Sequence, residues 1–527
     1  MRTRTARINS LWLMLLGSGA AVAVLIALLN WGGKDRSQDA DLVQVYCAAG
    51  MRPIMEKIAA QYKDEYDIEV EFQFGGSNTL LNQIEVNKFS TYDLYLAADD
   101  FYTDQAKEKG LAAETLHIAY QRPVVAVRSD SDIHIDSFND LVEAGVAISM
   151  GDPEQAAIGR AVRTALKNFA DGDSALWDQL QERITTDGVY KPTVNDSAND
   201  VKVKAVDEAI IWDSTAAAPQ YRDVLKTIPL PELETDPKLV SICVLNSTAK
   251  PTAALKFARY VTAADRGLVV FKEFGTRPVD GDTWAERPQV NFFCGAVNRR
   301  AVEETIAQFE AREGVDVNTK YDGCGFLTGQ MKTFTDQRTD LGFPDVYMAC
   351  DVYYLDNVKD WFQDAALVSD AEIVIAVPKG SDKVRSVEDL VTPGVAVAIG
   401  QPEHCTIGAL TRRILEEKNL YDSLMEKQQR EDETVVEKPS SALLVPDVVG
   451  GHVDAAVAYI TDVQQHEDRV DIVRVDSPHN LAVQPLSIAK TSEHKQLLRR
   501  LYDHVAASEE AFESAGFHFR LGEGSHE

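Results

Sequence analysis

From Leu42 onward the chain alternates short apolar runs with stretches whose apolar residues recur every three or four positions. LVQVYCAA (42–49) has the density of a buried strand, and MRPIMEKIAAQYKDEY (51–66) the period of an amphipathic helix. IEVEFQF (68–74) reads as a second strand, TLLNQIEVNK as a helix, and YDLYLAA (92–98) as a third strand. A parallel strand pair needs a crossover, and a helix is the usual one. This alternation therefore predicts an α/β fold, a parallel sheet covered by helices on both faces.

The pattern then starts again. VNFFCGA (290–296), VNRRAVEETIAQFEARE (297–313), VDVNTKY (315–321), FLTGQMKTF and PDVYMAC (344–350) repeat the order strand, helix, strand, helix, strand. GDPEQAAIGR (151–160) is answered by GQPEHCTIGA (400–409), and the flanks agree at the same distance, SFNDLVEAGVAIS (137–149) with SVEDLVTPGVAVA (386–398). PVVAVRSDSD (123–132) likewise answers IVIAVPKGSD (373–382). An internal repeat of this length predicts two modules of one architecture, 42–280 and 289–521, with a short linker at 281–288 and a tail at 522–527.

Composition narrows the function. Of 527 residues, 45% are hydrophobic and 26% charged, an ordinary globular mix. The formal net charge of −30 argues against nucleic acid as a partner, since phosphate binding needs a basic face, and it fits a monomer kept apart by self-repulsion. It does not forbid a small anion, which backbone N–H groups can hold. Ahead of the repeats, Arg2, Arg4 and Arg7 precede the uncharged stretch LWLMLLGSGAAVAVLIALL (11–29). That length approaches the roughly 30 Å needed to span a bilayer, and no A-x-A-like site follows. Residues 1–41 are therefore expected to be a basic cytoplasmic tip, a single membrane-spanning anchor at about 11–31 and a polar tether, with the body exported.

In order along the first repeat, VYCAAGMRPIMEKIAAQY, FQFGGSNTLLNQIE, DLYLAADDFY, RPVVAV, GDPEQAAIG and DEAIIWDSTAA resemble the molybdate-binding periplasmic proteins of ABC importers. These belong to the type II periplasmic binding protein class. The second repeat resembles a divergent copy, in which VAYITDV (457–463) keeps the family's V-Y-A-T-D signature best. The resemblance implies, in each module, two α/β lobes closing on a cleft, no cofactor, no enzymatic activity, and an ABC permease as partner. It implies ligand contacts at Gly50, Ser77, the amides of Ala157 and Ile158, an amide near Val194, and Trp212. At Gly50 the family has Ser, so only the amide remains; at Trp212 it has Tyr, so an N–H donor replaces an O–H. The implied ligand is a small oxyanion of the molybdate, tungstate or sulfate kind. In the second copy the matching positions are Val297, Cys324, Thr406, Ile407 and Tyr459.

Plainer roles stand beside these. By residue type alone Ser77 could cap a helix and Trp212 could be core packing. Asp99 and Asp351, each after a third strand, read as helix N-caps, and Asp213 as a cap or a solvent-facing residue. No G-x-G-x-x-G, P-loop or G-x-S-x-G occurs. An anchored sensor or scaffold remains the alternative to uptake.

Of six cysteines, Cys294, Cys324, Cys350 and Cys405 all fall at cleft-rim positions of the second copy, with His404 beside the last. Export permits disulfides. In the fold the resemblance implies, strand one lies between strands two and three. The expectation is therefore a Cys294–Cys324 or Cys294–Cys350 bridge, with Cys405 free or bridging only when the lobes close, at a helix start where the dipole lowers a thiol pKa. A soft-metal or thiol-reactive site is the alternative.

Overall fold

The computed structural model describes residues 42–521, apart from 88–90, 144, 235–236 and 335. The expected anchor, its tether and the tail from 522 lie outside the described residues, among which no helix is long and apolar enough to cross a membrane. The chain divides into two compact units between Gly281 and Asp282.

The first unit is built on two sheets. Strands β1 (Leu42–Ala48), β2 (Glu69–Gly75), β3 (Leu94–Ala97) and β4 (Ala112–Gln121) belong to one, β5 (Pro123–Arg128), β6 (Ile148–Gly151), β7 (Val189–Lys191), β8 (Glu208–Trp212) and β9 (Leu225–Ile228) to the other, and β10 (Lys238–Leu245) and β11 (Arg277–Pro278) return to the first. The orders are β11-β4-β10-β3-β1-β2 and β7-β6-β8-β5-β9. β1 lies between β2 and β3 in parallel, Val45 facing Phe72 on one side and Leu94 on the other. The expected parallel arrangement is thus correct for β1–β3 and β6–β8 but incomplete. β10 runs antiparallel to β3 and β4, and β5 antiparallel to β8 and β9. These are the strands by which the chain crosses between sheets and returns, so they lack the strand–helix–strand spacing of a crossover unit.

Burial explains the elements. Val43, Val45, Tyr46 and Cys47 on β1 are all buried, as a strand with helices on both faces requires. The helix Arg52–Tyr66 buries Ile54, Met55, Ile58, Ala59 and Tyr62, one stripe at helical spacing, and starts with a proline in its first turn. It ends on Asp67 in the left-handed region at φ 57°, where the matching helix of the second unit, Arg299–Glu313, ends on Gly314 at φ 67°. Glycine takes that conformation at no steric cost.

The second unit has the same plan. Strands β12 (Gln289–Gly295), β13 (Asp316–Asp322), β14 (Val346–Met348), β15 (Ala366–Pro378), β16 (Val397–Gly400), β17 (Val435–Lys438), β18 (Ala455–Tyr459), β19 (Val470–Arg474), β20 (Leu481–Ile488) and β21 (His518–Phe519) follow the order β13-β12-β14-β20-β15-β18-β16-β17, with β19 and β21 on β15. This is the first unit's order strand for strand. β15 runs unbroken where β4 and β5 are separated by Arg122, so one strand serves both sheets. The two halves therefore repeat one topology.

One buried group works against stability. Glu208, fully buried at the start of β8, has both carboxyl oxygens without a hydrogen-bond partner. Burial pushes its pKa up to about 8; Asp207 adds to the rise and Arg183 opposes it. The folded pKa exceeds the unfolded one, so the folded state holds the proton more tightly. Stability from this group is present below the unfolded pKa and is lost as pH rises toward 8, by about 1.4 kcal/mol per unit across that window. Glu208→Gln should therefore gain stability over the natural chain at pH 8 and little at pH 5. Thermal unfolding at both pH values checks this, and an equal difference at the two would contradict it.

Candidate functional site

In the first unit, the carboxyl ends of the parallel strands feed helices that start at one cavity. Ser77–Val86 follows β2, Ala157–Phe169 follows β6, and Val194–Lys202 follows β7. The first N–H groups of a helix have no partner within it and carry the positive end of its dipole. At Gly76 and Ala156, the residues preceding two of these helices, no side chain supplies a cap; Thr193 caps the third, accepting from the N–H of Asp196. The cavity is lined by Gly50, Gly76, Ser77, Ala98, Ala157, Ile158, Val194 and Trp212, with further alanine, glycine and threonine residues between them. No lining residue is ionisable. About 20 Å³ is open to water centres, against roughly 10–15 Å³ for a single water, so this closed form suits a species of a few atoms.

Both lobes are held shut over this space. Asn78 Nδ2 donates to the Glu154 carbonyl and Asn195 Nδ2 to the Ala49 carbonyl, each at 2.6 Å. Arg160 pairs with the buried carboxylate of Asp99 and lies 3.7 Å over the ring of Phe101. A Cβ on Gly76 would stand 2.4 Å from the Gln155 carbonyl oxygen and 2.9 Å from that of Pro192, so only glycine permits the approach. Gln121, at the last position before the crossover, donates to the Ala98 carbonyl at 2.8 Å and accepts from Ser214 Oγ at 2.7 Å. None of these cross-lobe contacts has a local sequence signal, because each joins residues remote in the chain.

All six positions singled out in the first repeat, Gly50, Ser77, Ala157, Ile158, Val194 and Trp212, lie in the wall of this cavity. Ser77 does not cap its helix; Gly76 is the residue before it. Ser77 is buried, and its Oγ accepts from the Ala98 N–H at 3.2 Å, which leaves its own proton to donate. A Cβ on Gly50 would lie 3.0 Å from Val194 Cγ1, tighter than an ordinary contact, so the missing hydroxyl matches a close-packed wall. Asp99 and Asp351 are helix N-caps, accepting from the N–H of Phe101 and Tyr353. Asp213 accepts from the N–H of Arg122 and Ser214.

In the second unit the five named positions occupy the same places. Val297 lies in the turn after β12, Cys324 begins the helix Cys324–Met331, Thr406 and Ile407 begin Thr406–Glu417, and Tyr459 ends β18. The bond made by Ser77 is repeated by sulfur: Cys324 Sγ accepts from the Cys350 N–H at 3.1 Å. The lobes again close backbone to backbone, with the Gly325 N–H donating to the His404 carbonyl at 3.2 Å. The rings of Phe326 and His404 lie 4.6 Å apart.

The thiols correct the expectation. All six cysteines are free and buried, so neither the Cys294–Cys324 nor the Cys294–Cys350 bridge is present. Strand order does place Cys294 in the middle, but its Sγ lies against the Gly295 carbonyl at 3.7 Å, inside the core. The thiols that meet are Cys324 and Cys350, above Gly295, where no side chain intervenes. Cys405 does not join them; its Sγ turns to the Gln401 and Lys438 carbonyls at 3.5 and 3.7 Å. Burial pushes its thiol up to about 11, outweighing the helix-start N–H groups that were expected to lower it. Burial also opposes ionisation of Cys324. The thiol and N–H of Cys350 and the neighbouring hydroxyls more than offset it, holding Cys324 below the ordinary thiol value, while its hydrogen bond to Cys324, and then burial, push Cys350 well above. Among the described residues no group of three or more His, Cys, Asp or Glu side chains is arranged to hold a metal ion.

The profile of a family described as bacterial extracellular solute-binding protein matches residues 43–277 and again 290–518. A putative binding protein of Haemophilus influenzae is 28% identical over 241 residues, spanning 46% of this chain and 92% of its own. The molybdate-binding protein of Escherichia coli is 26% identical over 272 residues, 50% of this chain and 97% of its own. Among solved structures, the periplasmic molybdate-binding protein of Azotobacter vinelandii aligns at 17% identity and a TM-score of 0.37, over 44% of this chain and 98% of its own. Each relative thus spans about one of the two repeats, and the chain belongs, twice over in tandem, to the family of bacterial extracellular solute-binding proteins.

Proposed function

We propose that the first unit takes a small tetrahedral oxyanion of the molybdate, tungstate or sulfate type by closing its two lobes, and delivers it to an ABC-type importer. The observation that carries this reading is a small cavity without an ionisable side chain, into which helix starts of both lobes and the Ser77 hydroxyl converge. An anion there is held by neutral N–H and O–H donors and by the dipoles of the helices. The sequence relatives described as molybdate-binding proteins support the same ligand class. A wall without titratable groups suits binding rather than catalysis. In this reading residues 11–31 tether the body outside the membrane and the chain works as a monomer.

The ligand-facing residues are Ser77, the amides of Ala157 and Ile158, and the walls at Gly50, Val194 and Trp212. Ser77→Ala removes the hydroxyl donor and should weaken molybdate binding by about 1–3 kcal/mol in calorimetric titration, the usual cost of an unmet hydrogen bond to a buried charged partner. Undiminished affinity would take Ser77 out of the site.

Gly76→Ala attacks closure instead, since its methyl group would overlap the Gln155 carbonyl. The same titration should show roughly a tenfold or greater loss, or 1.4 kcal/mol. Small-angle scattering should also show no compaction on adding ligand. Compaction equal to that of the natural chain would mean that closure does not pass through this contact.

A further inference from the structure

We propose that the second unit is a binding site for a trivalent metalloid hydroxide of the arsenite type, captured covalently by the paired thiols of Cys324 and Cys350. This goes beyond the oxyanion reading of the first unit and does not depend on it.

The internal repeat identifies the positions. Ser77, Ala98, Ala157 and Trp212 all line the first unit's cavity, and their counterparts are Cys324, Cys350, Thr406 and Tyr459. Two small or hydroxyl-bearing positions have thus become thiols, and an alanine has become threonine. The two sulfurs share one spot. A Cβ on Gly295 would lie 2.3 Å from Cys350 Sγ and 2.8 Å from Cys324 Sγ, so the pair exists only because that residue is glycine.

A second observation points to a ligand. The Tyr459 hydroxyl is buried with no hydrogen-bond partner, and the buried hydroxyls of Tyr347 and Thr406 have only the thiols to meet. Buried hydroxyls are almost always paired. The contrast with the first unit is direct: Tyr95, the counterpart of Tyr347, donates to the Ser77 carbonyl at 2.8 Å. Two thiols, two hydroxyls that reach only those thiols and one unmet hydroxyl form a mixed sulfur and oxygen donor set.

Charge selects among thiophilic ligands. A monovalent metal on two thiolates would leave a net negative charge buried among neutral hydroxyls, at high cost. A divalent ion, neutral on two thiolates, takes three or four protein ligands, a group not assembled among the described residues. A metalloid hydroxide avoids both. Each thiol proton leaves with one hydroxide as water, two As–O bonds break and two As–S bonds form. The product is a neutral dithiolate carrying one As–OH. Arsenic remains trivalent, so no oxidant or reductant takes part. The remaining hydroxyl is left to meet Thr406 Oγ1 or a tyrosine hydroxyl. Closure of the lobes through Gly325 and His404 keeps water from the As–S bonds.

The full chain, reduced and freed of reductant, is incubated with sodium arsenite; protein-bound arsenic is measured after gel filtration and free thiols are counted. One arsenic per chain is expected, with two of the six thiols protected. Cys324→Ser and Cys350→Ser should each weaken retention roughly 100-fold or more, since a two-point attachment becomes single. Thr406→Val should cost about tenfold, and Cys243→Ala, in the first unit, should cost nothing. Circular dichroism verifies each fold; if Cys324→Ser unfolds, the Cys350 and Thr406 variants carry the test. No retained arsenic, protection of other thiols, or natural affinity in Cys350→Ser would overturn the proposal. So would oxidation of the pair to a disulfide that arsenite does not prevent.

Discussion

The first unit depends on one close approach, the backbone of Gly76 against the carbonyl oxygens of Gln155 and Pro192 with no room for a methyl group between. That contact brings the start of Ser77–Val86, on one lobe, up to the starts of Ala157–Phe169 and Val194–Lys202 on the other. A cleft that closes on backbone can hold an anion with amides alone. Under the proposed function, this is how a chain of net charge −30 offers a site for negative charge without a lysine or arginine in its wall. The remaining cross-lobe groups serve the same closure. Asn78 and Asn195 bridge it by hydrogen bonds, and Arg160 spans it to a buried carboxylate under an aromatic ring.

The second unit keeps that frame and changes the chemistry inside it. Strand order, helix starts and the backbone bond to the first residue of the helix after strand two are all retained. The acceptor of that bond is oxygen in one unit and sulfur in the other. The two clefts thus share one strand order and differ in the chemistry of their walls.

Much of this was legible in the sequence. Periodicity and the repeated G-x-P-E-x-x-x-I-G segment led to two modules of one topology, and register with a known family led to the six wall positions. What was not legible has physical causes. The antiparallel strands β10 and β20 are reached across lobes, so no local spacing announces them. The thiols were placed correctly along the chain but not in direction. Side chains alternate across a strand, so Cys294 points into the core while Cys324 and Cys350, each just past a strand end, turn toward each other over Gly295. Cys405 stands at a helix start as expected, yet desolvation exceeds the dipole there. The Arg160–Asp99 pair joins residues 61 positions apart, and an N-cap reading of Asp99 was right without revealing it.

The central claim is that the cavity of the first unit is an oxyanion site. Crystals of the full chain grown with molybdate, measured for anomalous scattering at the molybdenum edge, test it most directly. The account predicts a molybdenum peak in the first unit between the starts of Ser77–Val86 and Ala157–Phe169, with an oxygen within hydrogen-bonding distance of Ser77 Oγ. An empty cavity in a closed first unit, or a peak only elsewhere on the chain, would contradict it.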